Sequence, residues 1–142
     1  MKPGSYYTYD TLEPGQPLPA VVHEIDAAMH RDYCSSTGEQ NRLFLEPDGA
    51  DAPLILPPAV ANILSTHVLG LPGVSRPSGD IHAGQVYEFV RPIQVGDVIT
   101  TSGFLAEKFE RRGRKYVVID THSLNQDGFL VARCRVTFAI PE

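Results

Sequence analysis

One apolar segment near the middle of the chain constrains the fold more than any other feature. Residues 57–70 have the sequence PPAVANILSTHVLG, in which apolar side chains leave little of a helix circumference polar. Pro57 and Pro58 suit a helical first turn, where backbone amides lack partners anyway, and Gly70 suits the helix end. Because a helix that is apolar on most sides is buried, we expect a central helix over about residues 58–69, enclosed by the rest of the domain.

A change of hydrophobic period predicts what encloses that helix. From Gln85 onward apolar and polar residues alternate, and in the last strand every even-numbered residue from Leu130 to Ile140 is apolar. Three dipeptides typical of turns separate the predicted strands: Gly96-Asp97, Arg112-Gly113 and Asp127-Gly128. The pattern predicts a meander of at least four antiparallel strands, with one face towards the core and one towards solvent.

The N-terminal half adds an arm, a strand and a helix. Residues 1–19 contain four prolines and two glycines, which predicts an extended or turn-like arm. Residues 20–25 can form a strand, and Asp26 then offers an N-cap for a helix that stops at Gly38. Residues 39–56 form a long connection without a clear period, and such connections inside compact domains are often functional.

Composition and charge exclude several classes of protein. The 142 residues fit one domain, and 42% hydrophobic with 20% charged residues is typical of a soluble globular chain. The net charge of -5 provides no positive field for a nucleic-acid backbone. The longest apolar stretch, residues 52–64, is too short for a membrane span. Cys34 and Cys134 form no disulfide framework and suit core positions, and with no secretion signal we expect a cytoplasmic protein.

The common catalytic motifs are missing from the sequence. It contains no phosphate-binding glycine loop, no HExxH, no CxxC and no GxSxG. Its five histidines are too scattered to form a local metal box, so we expect neither a metal nor another cofactor. The sequence therefore contains no motif that supports a nucleotide-dependent enzyme, a zinc enzyme or a serine hydrolase.

The order of elements and three short motifs resemble a known family. The motifs are Gly38-Glu39-x-Asn41, Pro57-Pro58 at the start of the apolar helix, and Arg91-Pro92 followed by Gly96-Asp97. Over residues 6–141 the chain is similar to MaoC-like, FAS1-type dehydratase domains of the (R)-specific enoyl-CoA hydratase and 3-hydroxyacyl-thioester dehydratase superfamily. The resemblance implies an α+β hot-dog fold, in which an antiparallel sheet wraps around one long central helix, with residues 1–142 forming a single such domain.

The chain departs from the family at its catalytic positions. Members of the family carry a D-x-N-P-x-H pattern, whose Asp and His activate a water that adds to a trans-2-enoyl thioester. Glu39 and Asn41 match the Asp and Asn, but Phe44 takes the place of the His. At the start of the central helix, where the family has a backbone amide that polarises the thioester carbonyl, Pro58 has no N–H.

These departures imply that the chain is the half of an enzyme that lacks the catalytic Asp and His, the Asp/His dyad. We expect a subunit of an enoyl-thioester hydratase or 3-hydroxyacyl-thioester dehydratase that builds part of the acyl cavity, while a second hot-dog chain carries the dyad. The substrate would be a CoA or acyl-carrier thioester of fatty acid, polyketide or steroid metabolism. A dimer is the expected minimum, because an exposed sheet edge is normally paired. The alternatives are a homodimer, a hot-dog thioesterase, a non-enzymatic acyl-binding or assembly subunit, and activity through Glu39 with His67 or His82.

The remaining candidate residues each have an ordinary structural explanation beside the functional one. His67 in the apolar helix would be a replacement base or a buried, hydrogen-bonded residue, and His82 would fix a loop or a subunit contact. The resemblance implies substrate binding for seven residues: Phe44, Pro58, Ala59, Asn62, Arg111, Arg112 and Arg114. The arginines, with Lys115, would clamp phosphates or form a solvated hairpin tip.

Overall fold

The computed structural model describes residues 5–6, 8–69, 74–75 and 79–141, with no side chains given for residues 5–6, 66–69 and 74–75. The strands are β1 (Ser5–Tyr6), β2 (Pro17–Glu24), β3 (Val74–Ser75), β4 (Ile81–Phe89), β5 (Val98–Arg111), β6 (Arg114–Leu124) and β7 (Leu130–Ile140). The α-helices are α1 (Ala27–Thr37), α2 (Arg42–Leu45) and α3 (Ala61–Leu69). Short 3₁₀ turns cover Tyr9–Thr11 and Pro58–Val60.

Five of these strands form one antiparallel sheet. Their order is β2-β5-β6-β7-β4, so β2 and β4 are the two edge strands. Strands β5, β6 and β7 are consecutive and form a meander, as the turn dipeptides predict. Strand β4 crosses over to pair with β7, and β2 pairs with β5. Helix α3 packs against β2, β5 and β6, which confirms an antiparallel sheet wrapped on one helix.

The alternation predicted for the last strand is confirmed, and the sheet has an inner and an outer face. Cys134, Val136 and Phe138 are buried on the inner face, while Arg133 and Arg135 are exposed on the outer one. Near the centre of the sheet the inner face carries small residues, with Thr101 Oγ1 2.7 Å from Ser123 Oγ in a buried hydrogen bond. Small side chains at these positions leave room for the helix.

The central helix is shorter and less completely buried than its sequence predicts. Its first turn, Pro58–Val60, is 3₁₀, and the α-helical part begins only at Ala61. Val60, Ala61 and Leu64 are buried, but Ala59 and Ile63 are exposed. One side of this short helix is therefore uncovered in the single chain. The predicted stop at Gly70 lies outside the described residues, although α3 is described as far as Leu69.

Three further boundaries differ from the sequence prediction. Strand β2 begins at Pro17 rather than residue 20, because prolines are tolerated on an edge strand. Strand β4 begins at Ile81, before the alternation becomes visible at Gln85. The connection after Gly38 contains a short helix, α2, which four residues are too few to reveal by periodicity.

The core has two clusters, one on each half of the sheet. One cluster joins the N-terminal arm to the inner face through Leu12, Leu18 and Leu105. The other packs Ile25 of the β2–α1 junction against Val60 and Leu64, with Met29 and Tyr33 at its margin, as their four-residue spacing indicates. Cys34 and Cys134 are both buried and free, as expected for core positions. Among the described residues, no helix has the length and hydropathy to cross a bilayer.

Candidate functional site

The segment that carries the resemblance to the catalytic pattern begins where α1 ends. Gly38 caps α1 in the left-handed conformation, with φ 65°, which a glycine adopts without steric cost. Glu39 Oε1 then accepts hydrogen bonds from the backbone N–H groups of Gln40 (2.9 Å) and Asn41 (2.8 Å). Asn41 Oδ1 accepts from Leu43 N at 3.1 Å and caps α2. Both polar side chains of the motif therefore hold local backbone.

A buried histidine that sequence reasoning did not single out anchors this segment. His30 lies on the buried side of α1, and its Nε2 is 2.7 Å from the carbonyl oxygen of Phe44. Because a carbonyl only accepts, Nε2 must carry the proton and donate it. Cys34 Sγ, one turn along α1, is 3.8 Å from the same nitrogen. The spacing of His30 and Cys34 next to the apolar stripe of α1 is the signal that would have placed His30 inside.

Phe44 and Pro58 are brought together in an apolar cavity of about 290 Å³. It lies between α2, the 3₁₀ turn before α3 and the end of β4. Its other lining residues are Leu43, Ile55, Leu56, Phe89, Val90, Arg91, Pro92, Ile93 and Val131. Arg91 is the one charged side chain in this lining, and its guanidinium lies 4.7 Å from the centre of the Phe129 ring. The cavity is chemically suited to a hydrocarbon chain.

A polar cluster between α3 and β4 contains one predicted residue and several that were missed. Tyr87 donates to Asn62 Oδ1 at 3.0 Å, and its hydroxyl lies 3.1 Å from Ser65 Oγ. Gln85 Nε2 donates to the Tyr87 hydroxyl and lies 3.3 Å from Cys134 Sγ. Burial raises the pKa of Tyr87 to about 12, so its phenol stays protonated at neutral pH. The alternation that puts Gln85 and Tyr87 on the face towards the helix was visible in the sequence.

The predicted arginines lie far from the Phe44 cavity within this chain. Arg111, Arg112 and Arg114 line another cavity at the β5–β6 hairpin, beside Lys115, which pairs with Ile140 at the end of β7. On β7 the Phe44 cavity is lined by Val131 and the hairpin cavity by Thr137, which places the two about six residues, or about 20 Å, apart along that strand.

The two predicted alternative bases are also placed differently. His82 lies at the start of β4, seven residues from Phe89, or about 23 Å of strand, with its ring 5.4 Å from that of Phe138. His67 belongs to α3, but its side chain lies outside the described residues. Ala59, the neighbour of Pro58, is exposed. Among the described residues, no three His, Cys, Asp or Glu side chains form a group that could hold a metal ion.

Comparison with known families accounts for this arrangement of helix, sheet and cavity. A family described as "FAS1-like, dehydratase domain region" matches residues 13–134. The chain belongs to this family. The match includes the Glu39 segment, the Phe44 cavity and the arginine hairpin, and no curated protein matches the chain. The MaoC-like dehydratase assignment made from the short motifs is thereby confirmed.

Three of the solved structures with a similar fold are hydratases or dehydratases by name. R-hydratase PhaJ1 from Pseudomonas aeruginosa superposes with a TM-score of 0.78 at 22% identity, covering 94% of this chain and 85% of that one. The (R)-hydratase from A. caviae involved in PHA biosynthesis gives 0.74 at 25%, covering 92% and 98%. The HadBC (3R-hydroxyacyl-ACP dehydratase) complex from Mycobacterium tuberculosis gives 0.69 at 20%, covering 87% and 93%. This member of the dehydratase-region family is a hot-dog domain of the hydratase and dehydratase type.

Proposed function

We propose that this chain is the acyl-binding subunit of a two-chain enoyl-thioester hydratase or 3-hydroxyacyl-thioester dehydratase, and that the partner supplies the Asp/His dyad. The observation that carries the proposal is the position of Phe44, an apolar ring lining the cavity where the family resemblance places the histidine. The substrate is an acyl thioester of CoA or of a carrier protein, and the reaction, addition or removal of water, needs no cofactor.

Proton transfer has no suitable group in this cavity. General acid or base help contributes about 10²- to 10⁴-fold to such reactions and requires a side chain that titrates near the working pH. Phe44 has no proton to exchange, and Arg91, the charged group of the lining, has a guanidinium that offers hydrogen-bond donors but no acceptor. The carboxylate of Glu39 already accepts two backbone hydrogen bonds through one oxygen. These contacts support a role in holding α2 rather than in activating water.

The start of α3 also lacks the usual stabilisation of the thioester oxygen. A preorganised backbone N–H aimed at the developing oxyanion contributes about 3–4 kcal/mol in enzymes that use one. Pro58 lines the cavity and has no N–H to offer. Loss of the base and loss of this donor in one cavity fit a site that holds the acyl chain while the reaction takes place elsewhere.

The edge strands indicate how a partner would join. Strand β2 carries Pro17 and Pro19, which cannot donate to a further strand and so protect that edge. Strand β4 is the opposite edge and exposes Ile81, Val86 and Phe89, with relative exposures of 52, 65 and 49%. Pairing through β4 would cover this apolar edge. Two of the similar structures, HadBC and the ChsH1-ChsH2 complex from Mycobacterium tuberculosis, are complexes by name, which favours a second hot-dog chain as partner.

The experiment compares the purified chain alone with a mixture of the chain and a second hot-dog protein. This second protein must have an intact D-x-N-P-x-H pattern, and the first candidate is the product of the adjacent reading frame. Hydration of crotonyl-CoA and of a longer enoyl-CoA is followed by loss of enoyl-thioester absorbance. We expect negligible turnover by the chain alone and turnover by the mixture. Replacing the partner's Asp or His should reduce the rate by about 10²- to 10⁴-fold, whereas Glu39→Gln should change it less than about threefold.

The opposite result would refute the proposal. If the chain alone hydrates an enoyl-CoA, and Glu39→Gln, His67→Ala or His82→Ala abolishes that turnover, the chain contains its own rearranged catalytic pair. Asp26→Asn serves as the matched carboxylate control, because Asp26, like Glu39, accepts a backbone N–H but lies at the opposite end of α1.

A further inference from the structure

The apolar cavity around Phe44 has one charged residue, Arg91, at its mouth. Every other side chain of the lining that the structure describes is apolar, from Leu43 and Phe44 of α2 to Val131 of β7. Arg91 is exposed to solvent, so its guanidinium lies at the opening of the cavity rather than inside it. The volume of about 290 Å³ is at the lower end of the range for small-molecule pockets, about 300–1,000 Å³, and suits one short aliphatic chain.

The backbone of Arg91 is fixed where β4 leaves the sheet. The N–H groups of Val90 and Arg91 both donate to the carbonyl oxygen of Val131, at 2.9 and 3.2 Å. Pro92 follows, and a residue before proline is restricted to extended conformations. The side chain of Arg91 therefore leaves the backbone from a defined position beside the cavity.

The guanidinium of Arg91 is held by an aromatic ring. It lies 4.7 Å from the centre of the Phe129 ring, which is a cation–π contact. Phe129 is fixed in turn, because its N–H donates to Asn125 Oδ1 at 2.9 Å and its carbonyl accepts from Asn125 N at 2.9 Å. Contact with a ring uses none of the guanidinium N–H groups in a hydrogen bond, so they remain available to a ligand.

The charge of Arg91 has no partner in the part of the chain that the structure describes. There it forms neither an ion pair nor a side-chain hydrogen bond. The acidic residues beside α2 are already engaged, Glu39 with backbone N–H groups and Glu46 with a neighbouring arginine. Four other arginines each lie within 3.5 Å of a carboxylate oxygen: Arg31, Arg42, Arg133 and Arg135. An oriented, unpaired guanidinium beside apolar walls favours an anionic ligand.

A carboxylate fits this position better than a phosphate does. Guanidinium and carboxylate groups are both planar and form two parallel N–H···O bonds. A phosphate monoester carries about -1.5 to -2 charges at neutral pH, more than one arginine neutralises, and the rest of the described lining has no polar side chain. An aliphatic chain that ends in a carboxylate matches both properties of the site, the apolar walls and the single positive charge.

We infer that the Phe44 cavity binds an aliphatic chain whose end carries a carboxylate, and that this carboxylate pairs with Arg91. If the chain is the acyl group of the thioester, which rests on the proposed function, the end of the acyl group remote from sulfur is a carboxylate. A free fatty acid has the same chemistry. Arg91 is then a residue that determines specificity and takes no part in the addition of water.

The first test measures the binding of two probes to the purified chain by amide chemical-shift titration: octanoate, and octanamide, which has the same apolar chain and a neutral head group. We expect octanoate to bind at least about fivefold more tightly, because it forms a charge-assisted pair with Arg91. Arg91→Gln should reduce this ratio to about one. Arg91→Lys keeps the charge without the planar fork and should leave an intermediate ratio. Arg31→Gln, at an exposed arginine of α1, is the matched control and should leave the ratio unchanged.

The ratio of the two affinities separates recognition of the carboxylate from a merely structural role. Phe89→Ala removes part of the cavity wall and should weaken both probes by about the same factor, as any general loss of structure would. On the unaltered chain, shift changes should concentrate at residues 43–44, 89–93 and 129–131. The inference is overturned if neither probe binds, if both bind equally, if the ratio survives Arg91→Gln, or if inorganic phosphate binds more tightly at the same residues.

The second test separates the two sources of the carboxylate. The two-chain mixture is given trans-2-octenoyl-CoA and, for comparison, the analogous thioester of trans-2-octenedioic acid, whose far end is a carboxylate. A higher kcat/KM for the second substrate that Arg91→Gln abolishes assigns the carboxylate to the acyl group. Binding of octanoate that depends on Arg91, without this preference in turnover, assigns the site to a free acid. If the mixture hydrates neither thioester while octanoate still binds through Arg91, the proposed function fails and the inference stands.

Discussion

Among the glycines that the structure describes outside turns, Gly103 should destabilise the sheet most when replaced by alanine. A Cβ at this position would lie 2.5 Å from the backbone oxygen of Asp120 and 2.9 Å from Thr121 Cγ2. An unstrained C···O contact is about 3.3 Å or longer, so the paired strands β5 and β6 would have to separate by about 0.8 Å. Overpacking of this kind costs about 1–3 kcal/mol, and a clash with backbone in a central strand is at the upper end.

The assay is urea unfolding followed by far-ultraviolet circular dichroism, since the chain has no tryptophan. With a slope of about 2 kcal/mol/M for a domain of this size, a loss of about 3 kcal/mol lowers the midpoint by about 1.5 M. Gly84→Ala is the matched control, because its added Cβ meets nothing within 4 Å. Its midpoint should be unchanged or slightly higher at equal protein concentration. The reasoning fails if Gly103→Ala shifts the midpoint by less than about 0.3 M, or no more than Gly84→Ala does.

Three further predictions follow from single residues. Burial raises the pKa of Tyr87 from 10.0 to about 12, so its contribution to stability is complete below pH 10 and is lost as the pH rises towards 12. In alkaline spectrophotometric titration one late-ionising tyrosine should disappear in Tyr87→Phe; an unchanged curve would contradict this. Arg112→Asn should relieve the left-handed arginine and raise stability by up to about 1 kcal/mol, seen as a melting temperature about 3 °C higher, and a lower melting temperature would argue against strain. Asp97→Ala should cost about 1–3 kcal/mol, because the Gln94 N–H loses the buried Asp97 carboxylate that it reaches at 3.0 Å. Asp127→Ala in the exposed turn is the comparison, and equal losses would rule out this cause.

Much of the fold was predictable because its signals are local. The alternation of Leu130–Ile140 sets which face of the last strand is buried, and the turn dipeptides after residue 85 mark the successive strands. The helix capped by Asp26 and Gly38 was also readable, since both caps act within one turn of chain. The length of the central helix was not predictable in the same way. An apolar composition does not distinguish a 3₁₀ first turn from an α-helical one.

Some features of the candidate site were likewise predictable from the sequence, whereas others depend on tertiary packing. The mismatch of residues 39–44 to the D-x-N-P-x-H pattern is visible in the sequence alone, because residue identity needs no coordinates. That Phe44 shares a cavity with Pro58, fourteen residues later, depends on how α2 packs against the end of β4. The contact of His30 Nε2 with the Phe44 carbonyl likewise joins a helix to a loop that has no detectable period.

The sequence by itself therefore determined most of the strands, helix α1, the buried face of the sheet and the mismatch of residues 39–44 to the D-x-N-P-x-H pattern. Only the tertiary structure decided that β4 pairs with β7 at an edge, that Tyr87 meets Asn62 and Ser65, and that the arginine hairpin opens into a cavity away from Phe44. The physical reason is the range of the interactions. Caps, turns and alternation act between residues a few positions apart, whereas strand order and cavity walls are set by packing among segments separated by tens of residues.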